Sequence, residues 1–130
     1  MNRSFQHALF ERHPRLLRYL REQGRQGYGT FECDDGWFAL LDEALSSFEQ
    51  AVADIPTNSD DYPDVTMVKS KFGELRIVMT GRSSIPNYED IYCALQQKGK
   101  TTCEFCGKPG RITNHSGYFA VNCGNCVPPS

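Results

Sequence analysis

With 130 residues, 39% of them hydrophobic, the chain has material for one small domain, and no apolar run approaches the length of a membrane span. A formal net charge of −2 excludes a protein that is basic overall. The opening residues, with Arg3, His7, Glu11 and Arg12 among them, do not resemble a signal peptide, so the expected setting is a reducing cytoplasm.

From Ser4 to Glu22 the apolar residues Phe5, Leu9, Leu16 and Leu20 share one helical face, widened by Phe10 and Leu17. Ser4 can cap this segment. Pro14 is costly inside a helix and welcome in a first turn, which predicts one helix ending near Arg12 and a second starting at His13 or Pro14, stopped by Gly24. The arginines at 12, 15, 18, 21 and 25 lie off the apolar stripe; a phosphate-contacting ladder is the alternative, but spacing by threes spreads them around half the helix and favours a solvated face. The glycine-rich stretch from Gly24 to Gly29 lacks the Gly-Lys-Ser/Thr ending of a phosphate cradle and reads as a linker.

Asp34 or Asp35 then caps the principal core helix, which runs to about Asp54 and repeats Trp37, Leu41, Ala44, Leu45, Phe48 and Val52 at helical spacing. Its acids, Asp42, Glu43 and Glu49 with Asp34 and Asp35 at the start, could form a paired-carboxylate site but read more simply as cap and dipole partners. The residues Ile55 to Asp64 form a loop. Period-two alternation over Val65 to Lys71 and Glu74 to Thr80, with Gly73 between, predicts a hairpin in which Val65 and Met67 share a face. Lys69, Lys71 and Arg76 make one side of it basic. After a loop from Gly81 to Pro86, Asn87 with Asp90 starts a last helix through Ile91 and Leu95 to about Lys98-Gly99, in which Cys93 is expected as a small buried residue.

Cys103, Cys106, Cys123 and Cys126 form two C-x-x-C knuckles separated by sixteen residues, a zinc-site spacing. Each knuckle turns two thiolates toward one ion, and a hairpin between them closes a tetrahedral shell. Gly107 and Gly124 are expected to supply positive φ in the knuckles, and Gly110 to Thr113 and Tyr118 to Asn122 are the predicted strands, joined by a turn over 114–117. Four thiolates leave no open position for water, so one structural Zn²⁺ is expected to fold this segment without catalysing anything. His7, His13 and His115 show no carboxylate or nucleophile partner at telling spacing, so no enzyme is expected. The fold class is therefore α+β: N-terminal helices and a core helix packed on a β-hairpin, then a helix leading into a four-cysteine zinc ribbon. Residues 1–99 form the α+β domain and 100–130 the ribbon packed on it, with a frayed Pro128-Pro129 tail.

Three stretches carry a resemblance: Phe31 to Phe38 with its Gly36-Trp37-Phe38, Val68 to Arg76 across the hairpin turn, and Thr102 to Gly110 at the first knuckle. In this order they resemble a family of small uncharacterised phage and prophage proteins, over roughly residues 30 to 126. The resemblance implies the fold and a phage origin but carries no established activity. The chain has Gly117-Tyr118-Phe119 where that family often has a tryptophan-rich strand, and Cys126 where its last ligand is often His.

Charge is segregated along the chain. Residues 1–25 carry six Arg and two Glu (+4), residues 26–65 ten acids and no Lys or Arg (−10), and residues 66–130 eight bases and four acids (+4). Two functions are expected from this. One is a binding module that docks on a bacterial host protein complex and blocks or redirects it, for instance a CRISPR effector, with Asp34, Asp35, Asp60, Asp61 and Asp64 occupying a site meant for nucleic acid. The alternative is a nucleic-acid-binding ribbon using Lys98, Lys100, Lys108 and Arg111 on phosphates and Tyr118 or Phe119 for base stacking. Neither involves a membrane or a small-molecule substrate.

Overall fold

A computed structural model describes residues 1–126; the predicted Pro128-Pro129 tail lies outside the described residues. Two helices open the chain, α1 (Arg3–Arg12) and α2 (Arg18–Arg25), followed by the short strand β1 (Phe31–Glu32), a 3-10 turn over Asp35–Trp37 and the core helix α3 (Phe38–Ala51). The hairpin β2 (Val65–Lys71) and β3 (Glu74–Met79), helix α4 (Tyr88–Gly99) and the ribbon strands β4 (Arg111–His115) and β5 (Tyr118–Asn122) complete it. The mixed α+β architecture is the one the periodicities predict. No described helix is long and apolar enough to cross a membrane.

The helices cover one face of a three-stranded sheet in the order β1-β2-β3, with β1 parallel and β3 antiparallel to β2. Trp37, Leu41, Leu45 and Phe48 of the α3 segment are fully buried with Leu9, Leu16, Leu17 and Leu20 from the N-terminal helices and Leu75 from the sheet. A sheet covered on one side should alternate, and β3 does: Leu75, Ile77 and Met79 are buried while Val78 faces out. In β2 the alternation breaks. A register shift between Val65 and Met67 places Val65 and Val68 in the core and leaves Met67 exposed, so Val65 and Met67 do not share the face that simple alternation predicts.

Several local expectations are corrected. The cap of α1 is Asn2, whose Oδ1 accepts from Phe5 N at 2.8 Å; Ser4 lies inside the helix. Asp34 precedes the 3-10 turn without a side-chain cap bond and Trp37 stands at the N-cap of α3, while Asp35 accepts from the Asn2 backbone and side-chain amides at 2.7 and 2.9 Å. The second helix starts at Arg18, after a turn over 14–17, and passes through Gly24 to Arg25. A β-carbon on Gly24 would lie 2.9 Å from Thr30 Cγ2, so this glycine permits the return of the chain instead of stopping the helix. Gly73 does form the hairpin turn at φ 79°, but Phe72 joins it at φ 54°, as a two-residue turn of this hand requires. Asn87 precedes α4 in a left-handed conformation without a side-chain cap bond, and Cys93 is exposed where burial is expected.

His13 departs furthest from its reading. It is 2% exposed, with Nδ1 2.5 Å from Glu49 Oε1 and Nε2 2.7 Å from Asp42 Oδ1. Burial works against its charged form, but the hydrogen bonds and charges of Glu49 and Asp42 outweigh this and raise its pKa above 6.5. An imidazolium held by two carboxylates ties the end of α1 to two turns of α3. His13 lines none of the described clefts, which makes the arrangement a structural clamp.

Candidate metal centre

The four cysteines arrive from two knuckles. The sulfur atoms of Cys103, Cys106, Cys123 and Cys126 all lie within 4.8 Å of one another, and those of Cys106 and Cys123 are 3.6 Å apart. Four thiolates at ~2.3 Å around a tetrahedral ion stand about 3.8 Å from each other, so the donor set fits a metal with little adjustment. All four are free thiols, not disulfides. Cys103 is buried, Cys123 and Cys126 are partly covered and Cys106 is exposed, which puts the centre at the edge of the body with its inner side against it.

Backbone N–H groups prepare the sulfurs for ionisation. Burial opposes charge on Cys103, but N–H groups of Cys123, Cys106 and Phe105 outweigh it and lower its pKa. The N–H of Asn125, helped by the neighbouring Cys126 thiol, brings Cys123 down to about 6. The other two sulfurs answer in the opposite direction. Cys126 shares hydrogen bonds with Cys123 and Cys106 and is pushed up to about 12; Cys106 gains from the Lys108 N–H, yet burial and the sulfurs of Cys103 and Cys123 raise it. Crowded thiols cannot all ionise alone, and a bound cation removes that limit.

The knuckles are held by tight turns. Gly107 has φ 82°, as expected, and its N–H donates to Cys103 O at 2.9 Å; Gly124 does not adopt positive φ and stands in open space. In its place Asn122 organises the second knuckle, its amide donating to Cys123 O at 3.0 Å and Cys126 O at 2.8 Å. Asn122 Oδ1 in turn meets Thr113 Oγ1 and His115 Nε2, so His115 belongs to a hydrogen-bond network and is only half exposed. Asn122 escapes sequence reading because an Asn at a strand end has many uses.

The Gly36-Trp37-Phe38 stretch explains how the ribbon sits on the body. Gly36 N donates to Glu104 O at 2.7 Å, and Trp37 Nε1 donates to Thr102 O at 2.9 Å. A β-carbon on Gly36 would fall 2.2 Å from Cys103 O, so only glycine admits the first knuckle this closely. On the other side Gly73 of the hairpin turn approaches Ile112, with a hypothetical β-carbon 2.7 Å from its Cδ1. Glu104 is sealed between these contacts, 2% exposed, with Ser70 Oγ donating to it at 3.2 Å; burial first and the Asp34 charge second raise its pKa.

The two surface sets predicted for partners are dispersed. Asp34 and Asp35 follow β1, whose Glu32 pairs with Lys69, so they sit by the end of β2 opposite to Asp64, about 20 Å away. Asp60 and Asp61 are exposed, but Asp64 is held by Arg15 at 2.8 Å and Arg18 at 3.1 Å. Among the bases, Lys98 is ion-paired with Glu43, while Lys100, Lys108 and Arg111 are exposed. Arg111 pairs with Asn122 at one end of the ribbon and Tyr118 with His115 at the other, about 13 Å away. Tyr118 and Phe119, as neighbours on one strand, point to opposite faces.

Comparison with protein-family models, with curated proteins and with solved structures finds no match to this chain.

Proposed function

We propose that this chain is a zinc-stabilised, non-enzymatic binding protein of phage origin, which docks on a bacterial host protein complex in the cytoplasm and inhibits or redirects it, as a CRISPR inhibitor does. Tetrahedral all-sulfur coordination favours zinc over harder ions, and a closed shell supports rigidity as the metal's role. The phage origin rests on the three-stretch resemblance.

The observation that carries the binding role is an exposed apolar surface built on the rigid ribbon. Phe72 is 67% exposed, Ile112 53% and Phe119 39%. By register Ile112 and Phe119 share a face of β4–β5, and Phe72 precedes the Gly73 that touches Ile112. Bulky apolar groups gathered on a stiff edge suit a protein contact. This surface replaces the five acids as the favoured contact, because Asp64 is neutralised internally and the rest are split between two ends of the sheet.

The test is a pull-down from bacterial lysate with the metal-loaded protein as bait, with and without nuclease. A near-stoichiometric host protein that survives nuclease, and is lost on Phe72→Ser with Ile112→Ser but kept on Asp60→Asn with Asp61→Asn, supports the reading. Retention that depends on nucleic acid, or that ignores the Phe72 and Ile112 changes, sinks it. One equivalent of zinc per chain by elemental analysis checks the metal.

A further inference from the structure

The arginines of the N-terminal helices divide into two groups. Arg12, Arg15 and Arg18 are spent on Asp42 and Asp64 at 2.7, 2.8 and 3.1 Å. Arg21 and Arg25 have only loose pairs, with Glu11 at 3.5 Å and Glu22 at 3.6 Å, and Arg3 has no ion pair among the described residues. The second group converges on one place.

Arg3, His7 and Phe10 recur on one face of α1, and Arg21, Gly24 and Arg25 on one face of α2. These faces line an open cleft of about 520 Å³, lined also by Tyr28, 63% exposed. Thr30 Oγ1 donates to Gln6 Oε1 at 2.5 Å and fixes the returning chain to α1, while Gly24 leaves room for Thr30. The linker is therefore part of a wall. Three guanidiniums with an unpacked phenol beside them match the two halves of a nucleotide, a phosphate and an aromatic ring. Exposed carboxylates at 3.5 Å or more hold an arginine weakly and yield to a phosphate, which accepts bidentate hydrogen bonds.

We propose that the cleft between α1 and α2 binds a nucleotide unit, its phosphate held by Arg3, Arg21 and Arg25 and its base stacked on Tyr28. The unit comes from a free nucleotide or from a single strand. This site is separate from the ribbon surface, and the two fail independently.

Fluorescence anisotropy of the full, metal-loaded chain with a labelled short oligothymidylate tests the assignment. Arg21→Gln with Arg25→Gln should weaken binding at least tenfold and reduce the slope of log affinity against log salt by about 0.7, the value for the one phosphate no longer neutralised. Tyr28→Ala should weaken it about tenfold, and Tyr28→Phe should leave it intact, since the ring does the stacking. Lys108→Gln with Arg111→Gln should change nothing. Competition by adenosine monophosphate assigns the site to free nucleotides, and competition by unlabelled oligonucleotide alone assigns it to a strand; either supports the proposal. No binding by the unaltered protein, binding insensitive to the cleft changes, or displacement by inorganic phosphate as effective as by the nucleotide overturns it.

Discussion

The body and the ribbon of this molecule are made rigid by different means. Up to Gly99 the chain buries Trp37, Phe48 and a row of leucines in a common core, and its fold follows from removing apolar area from water. The ribbon buries Ala120 and Val121 but exposes Ile112, Tyr118 and Phe119, and so contributes little core of its own. What closes it is the four-sulfur cluster and a small set of hydrogen bonds to the body. The body supplies a socket for the metal segment, and the metal spares the ribbon from needing a core.

The sharpest way to separate the two regions is to remove the metal. Chelation, or Cys123→Ser, should abolish the ribbon's dispersed amide resonances while α1 to α4 keep their helical circular dichroism, with a loss of order 10 kcal/mol localised in the ribbon. Collapse of the helices as well would show that the body depends on the ribbon. His13→Gln attacks the body and should cost about 3 kcal/mol by leaving Glu49 without its cation and Asp42 with Arg12 alone. It also fixes a pH signature. Because the folded pKa of His13 is raised, its stabilisation is complete below about 6.5 and declines as pH rises through the folded value. Denaturant titrations of the metal-loaded protein from pH 6 upward should show this decline, and the variant should lose it; an equal slope in both would exclude His13 as its source.

Gly36→Ala strikes the joint. With a β-carbon 2.2 Å from a backbone oxygen something must shift, and about 2 kcal/mol of overpacking should appear as lowered metal affinity with a smaller change in the body's own unfolding. The smallest effect is expected from Asn122→Ala, which strips donors from Cys123 O and Cys126 O: about 1 kcal/mol, read as faster metal loss to a competing chelator. Unchanged metal release would mean that the sulfurs alone set the knuckle.

These contrasts also explain what can be read without coordinates. The knuckles are legible because two intervening residues force two thiolates together, and α3 and the hairpin because periods of 3.6 and 2 are local. What stays hidden is what depends on distant neighbours. The partners of His13 lie 29 and 36 residues away, and the clash that makes Gly36 necessary is with Cys103. One extra residue in β2 reverses the faces of Met67 and Val68, and β1, two residues long, carries no period at all. The arginine cleft is hidden for the same reason: spacing by threes looks dispersed until α1 supplies the facing wall.

The hydrogen bond from Trp37 to Thr102 spans 65 residues of chain, whereas the β2–β3 turn closes over two. Expressed in time, this difference predicts an order of assembly: the hairpin and the helix α3 should form early, and the ribbon should dock late because its contacts demand the longest loop closure. The order reverses on the way out. The ribbon should be the first unit to open, its amides exchanging with solvent sooner than those of α3, and an ion held there should then last in proportion to how long Gly36 and Trp37 keep their hold on the first knuckle.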